Sequence, residues 1–105
     1  MSFTDRERDF EARYIHDQEL RFRIEARRNK LLGLWAAEKL GLSGDEAQRY
    51  AQEVIAVAFQ TPADDGIFQK IRADFDAANV DQSDHQINRV MTELLADAEK
   101  QVHDE

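Results

Sequence analysis

The chain contains three capping-box sequences: Thr4-Asp-Arg-Glu7, Ser43-Gly-Asp-Glu46 and Ser83-Asp-His-Gln86. In each, a hydroxyl side chain and a Glu or Gln three residues later can satisfy the free amides of a helix's first turn, so each predicts a helix start. Gly41 predicts a helix end with a left-handed residue. No stretch alternates with the period of two that a half-buried strand requires. The sequence therefore predicts an all-α fold.

Apolar residues at helical spacing fill the segments between these starts and indicate four helices. The second is predicted to run from the Ser43 box to about Phe59, and the third to end at Asn79 after a loop over residues 61–66. The fourth begins at the Ser83 box. The expected architecture is a four-helix bundle whose first helix is long, kinked or divided near residues 17–20.

The first helical region changes character along its length. From Asp5 to Glu19 charged residues outnumber apolar ones, and Phe10, Tyr14 and Ile15 are the only large apolar side chains. Such a segment buries too little surface to be held firmly by packing, so residues 1–19 are predicted to form a mobile arm that inserts into a partner. Residues 20–105 are predicted to form the helical anchoring domain. The residues expected in its core include Leu31, Leu32, Leu34 and Trp35.

The formal net charge of −8 is unevenly distributed. Residues 1–20 carry −3, residues 21–40 carry +4 and residues 41–105 carry −9. Because phosphate repels most of such a chain, nucleic acid is not an expected partner. The basic block leaves three interpretations open: contact with an anionic partner surface, weak ATP or ADP binding, or a solvated helix face paired with the acidic remainder. The residues singled out in it are Arg27, Arg28 and Lys30.

Several classes of function lack support in the sequence. There is no cysteine, which excludes disulfides and thiolate chemistry and fits a reducing cytoplasm. No apolar run is long enough to cross a bilayer, and no signal core begins the chain. Neither His85 nor His103 has a second metal ligand three or four residues further on, and no phosphate-loop motif is present. We therefore expect a cytoplasmic protein that is not an enzyme and needs no metal or cofactor.

His16 lies in the predicted arm and has two interpretations: it is either a pH switch or an exposed histidine without a role.

Several blocks of the sequence resemble the zeta subunit of the alphaproteobacterial F-type ATP synthase, a small inhibitor of that enzyme. The most specific block is Ala26-Arg-Arg-Asn-Lys-Leu-Leu-Gly-Leu-Trp-Ala-Ala37. The resemblance extends over essentially the whole chain, although Tyr14 stands where that family commonly has Phe. The other matching blocks are Asp5-Arg-Glu-Arg-Asp-Phe-Glu11, His16-Asp17, Gly41-Leu-Ser43 and Ser83-Asp-His-Gln-Ile87.

The resemblance implies a regulatory inhibitor of ATP hydrolysis. Its N-terminal arm would enter a catalytic αβ interface, contact the central rotor and block rotation in the hydrolytic direction. The implied partners are the alpha, beta and gamma subunits, reached at the inner membrane through the synthase, and the free protein is expected to be a monomer. A non-catalytic nucleotide-sensing module with little inhibitory activity is the alternative. The arm residues expected to contact the partner are Phe3, Asp5, Arg6, Glu7, Arg8, Phe10, Glu11, Arg13 and Tyr14.

Overall fold

The computed structural model describes the backbone of residues 3–60 and 65–105, and the side chains of residues 17–60 and 65–105. These residues form four α-helices and no strand. The helices are α1 (Phe3–Lys39), α2 (Gly44–Gln60), α3 (Asp65–Ala77) and α4 (Asp84–His103). α1 packs against α2 and α4, and α3 closes the other side of the core against α2 and α4. The predicted four-helix, all-α architecture is confirmed.

α1 is one continuous helix of 37 residues, so the first helix is long rather than divided. At 1.5 Å per residue it is about 55 Å long, whereas a helix of α4's length is about 30 Å long. The molecule accordingly measures 63 × 24 × 22 Å. Because α1 is much longer than the helices it packs against, its N-terminal part extends past the bundle.

Local sequence signals account for three of the helix ends. Ser83 caps α4 with both capping-box bonds: its Oγ accepts from the Gln86 amide at 3.1 Å, and its own amide donates to Gln86 Oε1 at 2.8 Å. α1 ends in a Schellman motif at Gly41 (φ 80°), and α3 ends in the same motif at Asn79 (φ 56°). Asn79 therefore follows α3 as its left-handed cap, two residues beyond the helical end.

The core is formed by one apolar stripe from each helix. Leu32 is fully buried as predicted, whereas Leu31, Leu34 and Trp35 are half-buried. Trp35 packs edge-to-face on Phe75, with ring centroids 5.6 Å apart. The members of the buried cluster are Leu32, Ala36, Ala37, Tyr50, Val54, Ile67, Ile71, Phe75, Ile87 and Met91.

A polar cluster at Tyr50 links α2 to α3 beside this core. The Tyr50 hydroxyl donates to Asp74 Oδ2 at 2.8 Å, and Lys70 Nζ lies 3.1 Å from the same oxygen and 5.1 Å from the centre of the Tyr50 ring. Burial, followed by the hydrogen bond to Asp74, raises the pKa of Tyr50 above its ordinary value. The hydroxyl therefore stays protonated and acts as a donor.

Replacing Tyr50 by Phe is expected to lower the free energy of unfolding by about 1 kcal/mol, the usual net contribution of one hydrogen bond. The substitution keeps the buried ring and the Lys70 cation–π contact, so it isolates the hydroxyl. Urea denaturation followed by circular dichroism measures the change. Unaltered stability would mean that Lys70 alone satisfies Asp74.

Candidate functional site

The nine residues predicted to contact the partner all lie in the N-terminal part of α1. Their side chains lie outside the described residues, so their predicted contacts and the mobility of the arm remain predictions. The described side chains of Asp17, Gln18 and Glu19 are exposed, and the first half-buried position is Leu20. The boundary after residue 19 between arm and anchoring domain stays a prediction.

The basic block is divided between two surfaces of α1. Arg27 lies on one of them with Arg23 and Lys30, and these three residues are called the basic flank below. Arg28 is 4% exposed; its Nε donates to Asn29 Oδ1 at 2.8 Å, and it lines a separate hollow beside Met91 and Leu95 of α4. The sequence placed Arg27, Arg28 and Lys30 in a single set, whereas the helical turn separates Arg28 from the other two.

Two residues of the basic flank are paired with the end of α4. Arg23 and Arg27 both donate to the carboxylate of Glu105, and Arg27 Nη1 also donates to Gln101 Oε1 at 3.0 Å. The hydrogen bonds from Arg27, and then from Arg23, hold the pKa of Glu105 below its ordinary value. Glu105 therefore remains a carboxylate at neutral pH. For these two arginines, pairing with the acidic remainder is the interpretation that the geometry supports.

Lys30 differs from these arginines. It is exposed and makes no hydrogen bond or ion pair within the described residues. It lines a hollow of about 330 Å³ together with Arg23, Arg27 and Glu105. Of the three basic residues singled out from the sequence, Lys30 is the one available to an incoming anionic group.

An apolar cleft that the sequence reasoning missed lies between α1 and α2. It has a volume of about 400 Å³. Its apolar lining comes from Phe22, Ala26, Ile55, Ala58 and Phe59, and Arg23, Glu25 and Asn29 complete the lining. Phe22 is 66% exposed and Phe59 86% exposed. The available signal was Phe22 itself, a large apolar residue in a charged stretch that does not fall on the α1 core stripe.

The described residues form neither a metal site nor a membrane-spanning helix. Within residues 17–60 and 65–105, no three His, Cys, Asp or Glu side chains converge in a way that could hold a metal ion. In the same part of the chain, no helix combines the length and apolar character needed to cross a bilayer. Every buried side-chain nitrogen and oxygen there has a hydrogen-bond partner. The cleft and the basic flank are therefore the surface features that call for a functional explanation.

Comparison with known proteins gives one family and one fold. A family model described as ATPase inhibitor subunit zeta matches residues 1–101. A solution NMR structure of a protein 39% identical in sequence superimposes with a TM-score of 0.72, covering 81% of this chain and 96% of the other. A search of curated proteins found no match.

The family match spans nearly all of the sequence, and the solved structure agrees with the four-helix fold. Membership in this family implies inhibition of the ATP synthase by a regulatory protein that is not an enzyme. The resemblance noted in the sequence is thereby confirmed: the chain belongs to the ATPase inhibitor subunit zeta family.

Proposed function

We propose that this protein stops hydrolytic rotation of the F-type ATP synthase by inserting residues 1–19 as a helical arm at a catalytic αβ interface beside the rotor. Residues 20–105 form the domain that anchors the arm. The partners are the alpha, beta and gamma subunits of the catalytic sector. The free protein is a cytoplasmic monomer that reaches the inner membrane through the synthase.

The observation that carries this proposal is the excess length of α1. α1 is about 55 Å long and packs along bundle helices of about 30 Å or less, so it exceeds them in length by about 25 Å or more. Residues 5–19 of α1 combine nine charged residues with three large apolar ones. This composition suits an interface in which aromatic anchors are buried while the surrounding charges pair with a polar rim.

Helical order in the arm is weakly favoured by its own sequence. Asp9 and Arg13, and Arg13 and Asp17, are spaced as i,i+4 pairs, each contributing roughly 0.3 kcal/mol. Such pairs cannot hold a short isolated helix folded. Ordering of the arm therefore draws on the partner's interface, and the continuous α1 supplies a nucleus from which the helix can propagate.

Comparing two alanine substitutions in the arm tests this proposal. Phe10→Ala is expected to raise the half-inhibitory concentration for ATP hydrolysis about 30-fold, the result of losing about 2 kcal/mol at a buried aromatic anchor. Glu19→Ala is the control, because its side chain is exposed at the base of the arm; we expect a change of less than about threefold. Alanine favours helix more than either original residue, so lost helicity would not explain the difference.

The measurement is steady-state ATP hydrolysis by the catalytic sector of the cognate synthase, titrated with each full-length protein. Absence of inhibition by the unmodified chain, at concentrations where binding is saturated, would refute the braking role. If the two variants inhibited equally well, Phe10 would not be an anchor of the interface.

A further inference from the structure

The cleft between α1 and α2 collects the two most exposed large apolar side chains of the described residues. Scattered exposed apolar residues are normal on a protein surface. Here, however, Phe22 and Phe59 come from different helices and lie on the walls of one hollow of about 400 Å³. Neither contributes to the buried core, so the stability of the fold does not explain them. Burying these side chains against a partner would remove apolar surface from water and so stabilise a complex.

The cleft and the basic flank form one continuous surface. Arg23, Ala26 and Ile55 line both the apolar cleft and the adjoining hollow that contains Lys30. Arg23 and Arg27 are paired with Glu105, and Glu25 adds a carboxylate to the cleft lining, whereas Lys30 is exposed and makes no ion pair within the described residues. An occupant that places apolar side chains between Phe22 and Phe59 would therefore lie next to the Lys30 amine. The complementary ligand is an amphipathic segment with carboxylates beside its apolar face.

The shape of the surface favours a helix as that segment. The walls are two helices packed side by side, and the groove between such helices accepts an amphipathic helix through anchors at i, i+3, i+4 and i+7. An added strand would need the free amides and carbonyls of a sheet edge, which the described helices do not offer.

A second copy of this chain is a poor occupant. A symmetric dimer formed through the cleft would bring the same patch of both copies together across a two-fold axis, and that patch carries three basic residues against Glu25 and Glu105. The two subunits, each with a formal charge of −8, would also repel each other at longer range.

We propose that the cleft docks an acidic amphipathic helix of the synthase's catalytic sector and so anchors the bundle while the arm acts as the brake. This inference rests on the proposed function. The location of the cleft supports this inference, because Phe22 lies only three residues beyond the arm and on the same helix, α1. A partner surface engaged by the arm therefore lies within reach of the cleft.

The first test is a full-length variant carrying Phe22→Ala and Phe59→Ala. Both side chains are exposed, so the thermal unfolding midpoint should change little. We expect the Kd for the catalytic sector to rise at least about 30-fold, with the same maximal inhibition once binding is saturated. Binding within about threefold of the unmodified protein would overturn the inference.

A matched charge pair tests the acidic character of the occupant. Lys30→Glu and Arg49→Glu each change the net charge by the same amount, and both side chains are exposed and lack an ion-pair partner within the described residues. Only Lys30 lines the docking surface. We expect Lys30→Glu to raise the Kd about tenfold at low ionic strength, and Arg49→Glu to change it less than about threefold. If the two substitutions raised the Kd by the same factor, the inference that the partner helix is acidic would be overturned.

The readouts separate this inference from the proposed function. If the unmodified chain inhibits and the double Phe variant binds and inhibits equally well, the cleft assignment fails and the braking role stands. If the unmodified chain binds without inhibiting, and the double variant loses binding, the cleft assignment stands and the braking role fails. A concentration-dependent dimer in sedimentation, abolished by the double variant, would assign the cleft to a second copy and overturn the inference.

Discussion

Removing residues 1–19 is expected to leave a folded protein that no longer inhibits ATP hydrolysis at any concentration. Among the side chains that the structure describes, the buried apolar ones all lie between Leu32 and Val102, and those next to the boundary, Asp17 to Glu19, are exposed. The deletion therefore leaves every one of these buried apolar side chains in place. The inhibitory segment would be lost entirely, whereas Phe10→Ala removes only one anchor from it.

Two measurements check this expectation. Thermal unfolding of the truncated chain should show a cooperative transition within a few degrees of the full-length midpoint. Titration of the catalytic sector should show ATP hydrolysis at the uninhibited rate. The peptide of residues 1–19 alone is the control; we expect it to inhibit far more weakly than the full chain, because an isolated helix of this length is marginal in water. Undiminished inhibition by the truncated chain would show that the inhibitory segment lies within residues 20–105.

Replacing Gly33 by Ala is expected to destabilise the bundle by up to about 2 kcal/mol. A Cβ at this position would lie 2.7 Å from Ala51 Cα and 3.1 Å from Ala51 Cβ, so α1 and α2 would have to separate. Forced separation of packed elements typically costs about 1–3 kcal/mol. Alanine's better helix propensity offsets about 1 kcal/mol of the strain, but the clash involves backbone on the opposite helix, which cannot rotate away.

The measurement is the free energy of unfolding in urea, with Gly41→Ala as the comparison. Gly41 has no atom within 4 Å of the added Cβ, but its φ of +80° disfavours a side chain; its replacement should cost about 1 kcal/mol through backbone conformation alone. The double variant Gly33→Ala with Ala51→Gly should recover only part of the loss, since the contact with Ala51 Cα remains. A neutral or stabilising Gly33→Ala would show that the helices can adjust at this crossing.

Much of the fold was predictable from the sequence because its determinants are local. A capping box acts within four residues, as at Ser83, and a left-handed cap acts within six, as at Gly41. The apolar stripes of α2, α3 and α4 repeat every three or four residues, so the buried faces could be identified before any packing was known. The family resemblance likewise depended on contiguous blocks of sequence.

Other features depend on residues far apart in the chain. Arg27 pairs with Glu105, 78 positions away. Phe22 and Phe59 line a cleft that exists only once α1 and α2 have packed together. Which of the neighbours Arg27 and Arg28 becomes buried follows from how α1 is rotated against α4. The sequence by itself determined the number of helices, the caps at Gly41 and Ser83, the family and the charge pattern of residues 1–19, since these follow from neighbouring residues. The close contact at Gly33, the pairing of the basic flank and the apolar cleft were decided by tertiary packing, which brings distant side chains together.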